Sequence, residues 1–129
     1  MKKQIMNIEE KRNLSQKENR LLIWLLENGN EKSISFIDQI PFLKVHSKCI
    51  CGCASINFSY NDIEVDLNKN NMEILSDYKW KDQENNLFGI FVFSIDNKIA
   101  GIEVWSIDGE KTPTEYPNIN SLIKIDSDF

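Results

Sequence analysis

Leu87-Phe88-Gly89-Ile90-Phe91-Val92-Phe93-Ser94-Ile95, then Asp96-Asn97-Lys98, then Ile99-Ala100-Gly101-Ile102-Glu103-Val104-Trp105-Ser106-Ile107 is the stretch that decides the fold of this chain. Both long runs are dominated by β-branched and aromatic residues, which fit a pleated surface and disfavour a helix of the same length. The polar triplet between them is a hairpin signal even without glycine, because Asp and Asn tolerate left-handed backbone. The chain is therefore expected to carry an antiparallel hairpin at 87–107.

Working toward the C-terminus, Asp108-Gly109 turns the chain out of the hairpin. Pro113 and Pro117 then mark an irregular stretch with at most a short edge strand at Leu122–Ile125. Toward the N-terminus, alternation predicts strands at Phe42–Ser47, Cys49–Tyr60, Asp62–Leu67 and Met72–Trp80. They are separated by Asn61-Asp62 and by Asn68-Lys69-Asn70-Asn71. Ahead of Phe42 the period becomes helical. Ser15-Gln16-Lys17-Glu18 is a capping box opening a helix at Gln16–Asn28, whose stripe is Leu21, Leu22, Leu25 and Leu26 with Trp24, and Asn28-Gly29 offers residues that tolerate a left-handed close. A second short helix is expected at Ser33–Ile40, ended by Pro41. Helices first and strands afterwards mean α+β: an N-terminal helix, or helical pair, packed on a mainly antiparallel sheet of five to six strands. Residues 1–129 are read as a single domain, with 1–14 a flexible or partly ordered leading segment.

With 129 residues, 41% of them hydrophobic and 27% charged, the chain is long enough to bury a core without a disulfide or metal. The N-terminal stretch lacks the apolar run of a signal peptide, and nothing approaches the ~18 consecutive apolar residues of a membrane span, so a cytoplasmic, membrane-free location is expected. Thirteen lysines against two arginines, with abundant Asn and Ile, fit a bacterial source. The net charge of −5 is uneven: residues 1–20 hold six bases against three acids, whereas the remaining 109 hold nine against seventeen. A body at −8 repels phosphate backbones, which argues against nucleic-acid binding, and attracts basic proteins.

Three residue groups invite chemistry. Cys49-Ile50-Cys51-Gly52-Cys53, with His46 upstream, suggests a metal or a reactive thiol. On one extended strand, however, side chains two apart sit about 6.6–7 Å from each other, while thiolates on one zinc lie about 3.8 Å apart. The set His46, Cys49, Cys51, Cys53 therefore closes on an ion only if Gly52 breaks the strand, and the same spacing disfavours a disulfide between adjacent members. The plainer expectation is three small apolar residues on a sheet face under a helix. Asp62, Glu64 and Asp66 alternate with Ile63, Val65 and Leu67, which predicts an acidic stripe on one face of a strand. Together with Asp77, Asp82 and Glu84 it is the candidate surface for a basic partner. Glu103, in a very apolar strand, is expected to face water or to pair with a lysine; Trp80 and Trp105 are expected to pack against the sheet. No phosphate-binding glycine loop, dinucleotide fingerprint or His-x-x-x-His pair is present, so no catalytic residue and no cofactor is expected.

The segments Cys49–Phe58 and Ile99–Glu110, reading CICGCASINF and IAGIEVWSIDGE, resemble small acidic bacterial proteins of uncharacterised function, including immunity proteins of contact-dependent and polymorphic toxin systems. The likeness covers the layout of residues 12–120: helix, strand with a small-residue run, final hairpin near an aspartate and glycine. It implies a non-enzymatic protein that neutralises a basic toxin domain by direct binding, with no family active site to carry over. The alternative reading is a small metal-binding or cysteine-dependent enzyme built on the His46 and Cys49–Cys53 segment. The sequence does not fix an oligomeric state.

Overall fold

The structure, a computed structural model, describes residues 7–68 and 71–128. The hairpin at its centre is β6 (Leu87–Ile95) and β7 (Lys98–Ser106), paired from Ile95↔Lys98 to Phe88↔Ser106. Lys98 belongs to the strand. The turn is thus two residues, Asp96 and Asn97, with φ of 53° and 63°, the doubly left-handed geometry that matches strand twist.

Around this hairpin the chain builds β1 (Asn7–Arg12), β2 (Leu43–Cys49), β3 (Ile56–Tyr60), β4 (Ile63–Glu64), β5 (Met72–Lys81) and β8 (Ile123–Lys124). The sheet is eight-stranded rather than five- or six-stranded, every pairing is antiparallel, and the order is β1-β2-β3-β7-β6-β5-β8 with β4 attached to β3. The α+β class stands as expected.

Three expectations are corrected and one segment is defined more closely. Within the leading segment read as flexible or partly ordered, Asn7–Arg12 forms an edge strand paired with β2, and its charged sequence NIEEKR suits an exposed edge. Residues 1–6 lie outside the described residues. The second helix is a 3₁₀ segment, Ser33–Phe42, running through Pro41. The run Cys49–Tyr60 is not one strand: residues 50–54 turn, and pairing resumes only at Ile56. Asp62–Leu67 is strand only at Ile63–Glu64, after which the chain folds over the sheet.

The helix α1 (Gln16–Glu27) opens as read. Ser15 Oγ accepts from the Glu18 amide at 3.1 Å, and the Ser15 amide donates to Glu18 Oε1 at 2.8 Å. It closes without a left-handed residue, Asn28 having φ −116°. Gly29 is needed for space instead, since a Cβ there would stand 2.3 Å from the Leu75 carbonyl oxygen. Leu21, Leu22, Leu25 and Leu26 are buried against one face of the sheet, on Tyr78, Trp80, Phe88, Ile90, Val92, Ile102 and Val104. Trp24 meets Tyr78 edge-on at 4.9 Å, and Tyr78 Oη donates to the Asn28 carbonyl at 2.7 Å, so the helix end is tied to the strand beneath it.

Among the described residues, the opposite face is covered only at one end. There Val65 is buried with Phe93, Ile95 and Ala100, and Leu67 packs alongside. The rest of that face lies open.

Candidate functional site

Register assigns residues to the open face. Ile74 pairs with Phe93, Asp77 with Phe91, and Lys79 with Gly89 on β5 and β6, while Phe91 pairs with Glu103 and Gly89 with Trp105 on β6 and β7. A bulge between Ile74 and Ser76 shifts the parity of β5, so Met72 and Ile74 stand with Asp77 on this face while Leu75 and Ser76 are buried beneath α1. Met72, Ile74 and Trp105 are exposed by 48%, 43% and 40%. Trp105 leans over Gly89, where an added Cβ would lie 2.4 Å from the indole Nε1. The glycine makes room for the ring to lie across the neighbouring strand. Trp80 is core; Trp105 is not. Strict alternation hides this surface, because the bulge moves the apolar residues of β5 from one face to the other.

The six acidic residues of the expected patch do not converge. Asp62 and Glu64 are exposed at the end of β3 nearest the Asp96-Asn97 turn, and Asp66 follows them, whereas Asp82 and Glu84 lie in the β5–β6 turn. The two groups sit at opposite ends of β6, about 26 Å apart at ~3.3 Å per residue. Asp62 carries a left-handed φ of 66° and pairs with Lys44 Nζ at 3.0 Å; Glu64 reaches His46 Nε2 at 3.4 Å; Asp66 accepts from the Asn68 amide at 3.0 Å. Ile63, expected on an apolar face, is 72% exposed. Asp82 is held below the ordinary aspartate value by hydrogen bonds, first from the Asn86 side chain, and Glu84 pairs with Lys111 at 3.1 Å. Asp77, midway along β5, is half-buried. Burial raises its carboxyl, and its Oδ1 has no hydrogen-bond partner among the described residues. Glu103 accepts from Ser55 Oγ at 3.2 Å.

The cysteine segment departs furthest from its strand reading. Gly52, at φ +91°, turns the chain, and the Gly52 amide donates to the Cys49 carbonyl at 3.3 Å. The three sulfurs are thereby gathered within 4.8 Å of one another. Cys49 and Cys51 form a disulfide, their Cα atoms 5.2 Å apart, and Cys53 is a free thiol. None of the three is core, Cys51 being exposed. His46 points elsewhere, to Glu64, and does not join the cluster.

Beside this loop lies a cavity of about 370 Å³ lined by Arg12, Glu18, Lys48, Cys49, Cys53 and Tyr116 among others. Arg12 grips Glu18 with two bonds of 2.8 Å, Nη1 to Oε1 and Nη2 to Oε2. Burial works to raise the Glu18 carboxyl, but the guanidinium and the Ser15 amide outweigh it and the net shift is downward. Tyr116 Oη donates to the Ala54 carbonyl at 2.5 Å, and burial above all pushes its phenol up. The sequence signalled Glu18 as a cap but not Arg12 as its partner, because an ion pair between a strand and a helix has no periodic trace.

Among the described residues no helix is long and apolar enough to cross a membrane. Compared with protein-family models, with curated proteins and with solved structures, the chain matches none of them.

Proposed function

We propose that this domain works by binding a basic protein across the open face of its sheet, and specifically that it is an immunity protein neutralising a toxin domain in the cytoplasm of the cell that makes it. The observation that carries this reading is the uncovered face itself. Met72 and Ile74 stand exposed beside Ile95 and Phe93, Trp105 stands exposed toward the other end beside Gly89, and half-buried Phe91 lies between them, on a chain of net charge −5. An apolar, aromatic centre inside an acidic surround is the composition of a protein interface, the aromatic supplying most of the energy and the field supplying speed of encounter. Asp62, Glu64 and Asp66 lie at the end of this face and serve as its rim. Asp82 and Glu84, at the other end of β6, would take part only in an interface spanning the whole hairpin. A stable complex needs about 1,600 Å² buried in total, about 800 Å² of it on this chain.

The test is affinity capture of the tagged chain from its native cells, with identification of bound proteins, followed by titration of the recovered partner. Expected is a basic toxin fragment whose affinity falls by about 2 kcal/mol for Trp105→Ala, falls also for Ile74→Glu, and weakens with salt. Capture of nothing basic, or unchanged affinity in both variants, overturns the proposal.

A further inference from the structure

The turn at Gly52 places three sulfurs where one small ion can touch all of them, and we propose that the reduced Cys49–Cys53 loop binds a single soft monovalent cation, cuprous copper in biological terms, through three thiolates. With sulfur–metal bonds of about 2.3 Å, three ligands in a trigonal plane lie about 4.0 Å apart. In the disulfide form the Cys49, Cys51 and Cys53 sulfurs all lie within 4.8 Å of one another, and reduction frees the bonded pair to open to the trigonal spacing. Among the described residues no His, Asp or Glu completes the group, His46 being engaged with Glu64. Zinc prefers a fourth ligand, whereas a soft d¹⁰ monovalent ion accepts three thiolates.

The loop also supplies hydrogen bonds to two of its sulfurs. The Cys51 amide donates to Cys49 Sγ and the Cys53 amide to Cys51 Sγ, both at 3.3 Å, and amide donors of this kind tune thiolate ligands. Lys48, next to Cys49, lines the same cavity, where its ammonium pairs with Glu10 at 3.4 Å. Cys51 is exposed, so an ion enters without unfolding the core.

The disulfide between Cys49 and Cys51 is the oxidised form of this site. A dithiol reductant delivers two electrons and two protons to that bond, which breaks into two thiols while the reductant closes to its own disulfide. The cation then displaces three protons, one from each thiol, and three sulfur–metal bonds form with no change in its oxidation state.

The experiment uses the full chain, reduced and kept free of oxygen, titrated with cuprous ion against a colorimetric cuprous chelator. Mass spectrometry under native conditions reads stoichiometry, and X-ray absorption reads the ligand shell. Expected are one copper per chain and three sulfurs at about 2.3 Å. Cys53→Ser should lose more than about 100-fold in affinity, beyond what the loss of an outer-shell partner costs, while Ile50→Ala should bind as the parent does. Failure of the reduced chain to hold copper against the chelator overturns the proposal, as does a Cys53→Ser variant that binds as tightly as the parent. The readout is copper held by the isolated chain and not protein affinity, so neither result bears on the open-face interface.

Discussion

At the scale of single residues, the tie between Arg12 and Glu18 does more than cap a helix. The Glu18 side chain is only 7% exposed, yet it holds both the Ser15 amide and the Arg12 guanidinium, thereby locking β1 to the start of α1. Its carboxyl titrates below the ordinary 4.5 in the folded chain. A carboxyl lowered by folding contributes stability that is fully present above its unfolded value and is lost as the pH falls through its folded value. Glu18→Gln, which keeps the side-chain shape and removes the charge, should therefore destabilise the protein at pH 7 and should matter progressively less below about pH 4. The expected loss at pH 7 is about 1–2 kcal/mol, less than a fully buried pair would give, because Arg12 is partly open to water. Urea denaturation of both proteins at pH 7 and pH 3 measures it; an equal difference at the two pH values would remove the ion pair from the account.

At the scale of elements, the two halves of the sheet meet at a short joint between β3 and β7, which share the register pairs Ile56↔Ile102 and Asn57↔Gly101. Ser55 extends the joint with its side chain, its Oγ accepting from the Val104 amide at 2.9 Å. Gly101 sits where this joint is tightest: a Cβ would stand 2.6 Å from the Ile56 carbonyl oxygen and 3.0 Å from Phe93 Cε1. Gly101→Ala should force the two strands apart and cost roughly 1–3 kcal/mol, read as a lowered denaturation midpoint. An unchanged midpoint would mean that the strands shift freely. These elements also mark how far the sequence was legible. The β6–β7 hairpin and the α1 cap could be read because their signals are local: β-branched and aromatic runs flanking two Asx residues, and a reciprocal Ser–Glu pair. The Cys49–Tyr60 run misled because cysteine, isoleucine and serine suit a strand, while the one residue that breaks it, Gly52, acts through a left-handed φ with no apolar signature. The bulge at Ile74–Ser76 has no local signature either, since one extra residue places Met72 and Ile74 on the face that carries Asp77. Local chemistry was written in the sequence; parity and close approach depend on partners distant in the chain.

At the scale of the whole molecule, the same joint divides the sheet. On one side stand β1, β2, β3 and β4; on the other stand β7, β6, β5 and β8, paired along almost the full length of β5, β6 and β7. The helix α1 rests on β5 and β6, and the 3₁₀ segment on α1 and β7, so both bridging layers lie over the second half. The first half adds Leu43, Val45, Ile56 and Phe58 to the common core, but its ladder to the rest is two register pairs, supplemented by the Ser55–Val104 and Ala54–Pro113 hydrogen bonds and by the Arg12–Glu18 side-chain tie. Opening at β3–β7 therefore exposes little ladder while leaving the central hairpin and its helix intact, which is the condition for a sub-global opening below the free energy of complete unfolding. Native-state hydrogen exchange should show protected amides of β2 and β3 opening at a free energy lower, by something on the order of 2 kcal/mol, than those of β6 and β7. Gly101→Ala should lower the first set further than the second. If both sets exchange at one free energy, and the substitution lowers them equally, the core shared across the joint outweighs the weakness of its ladder and the sheet unfolds as a single unit.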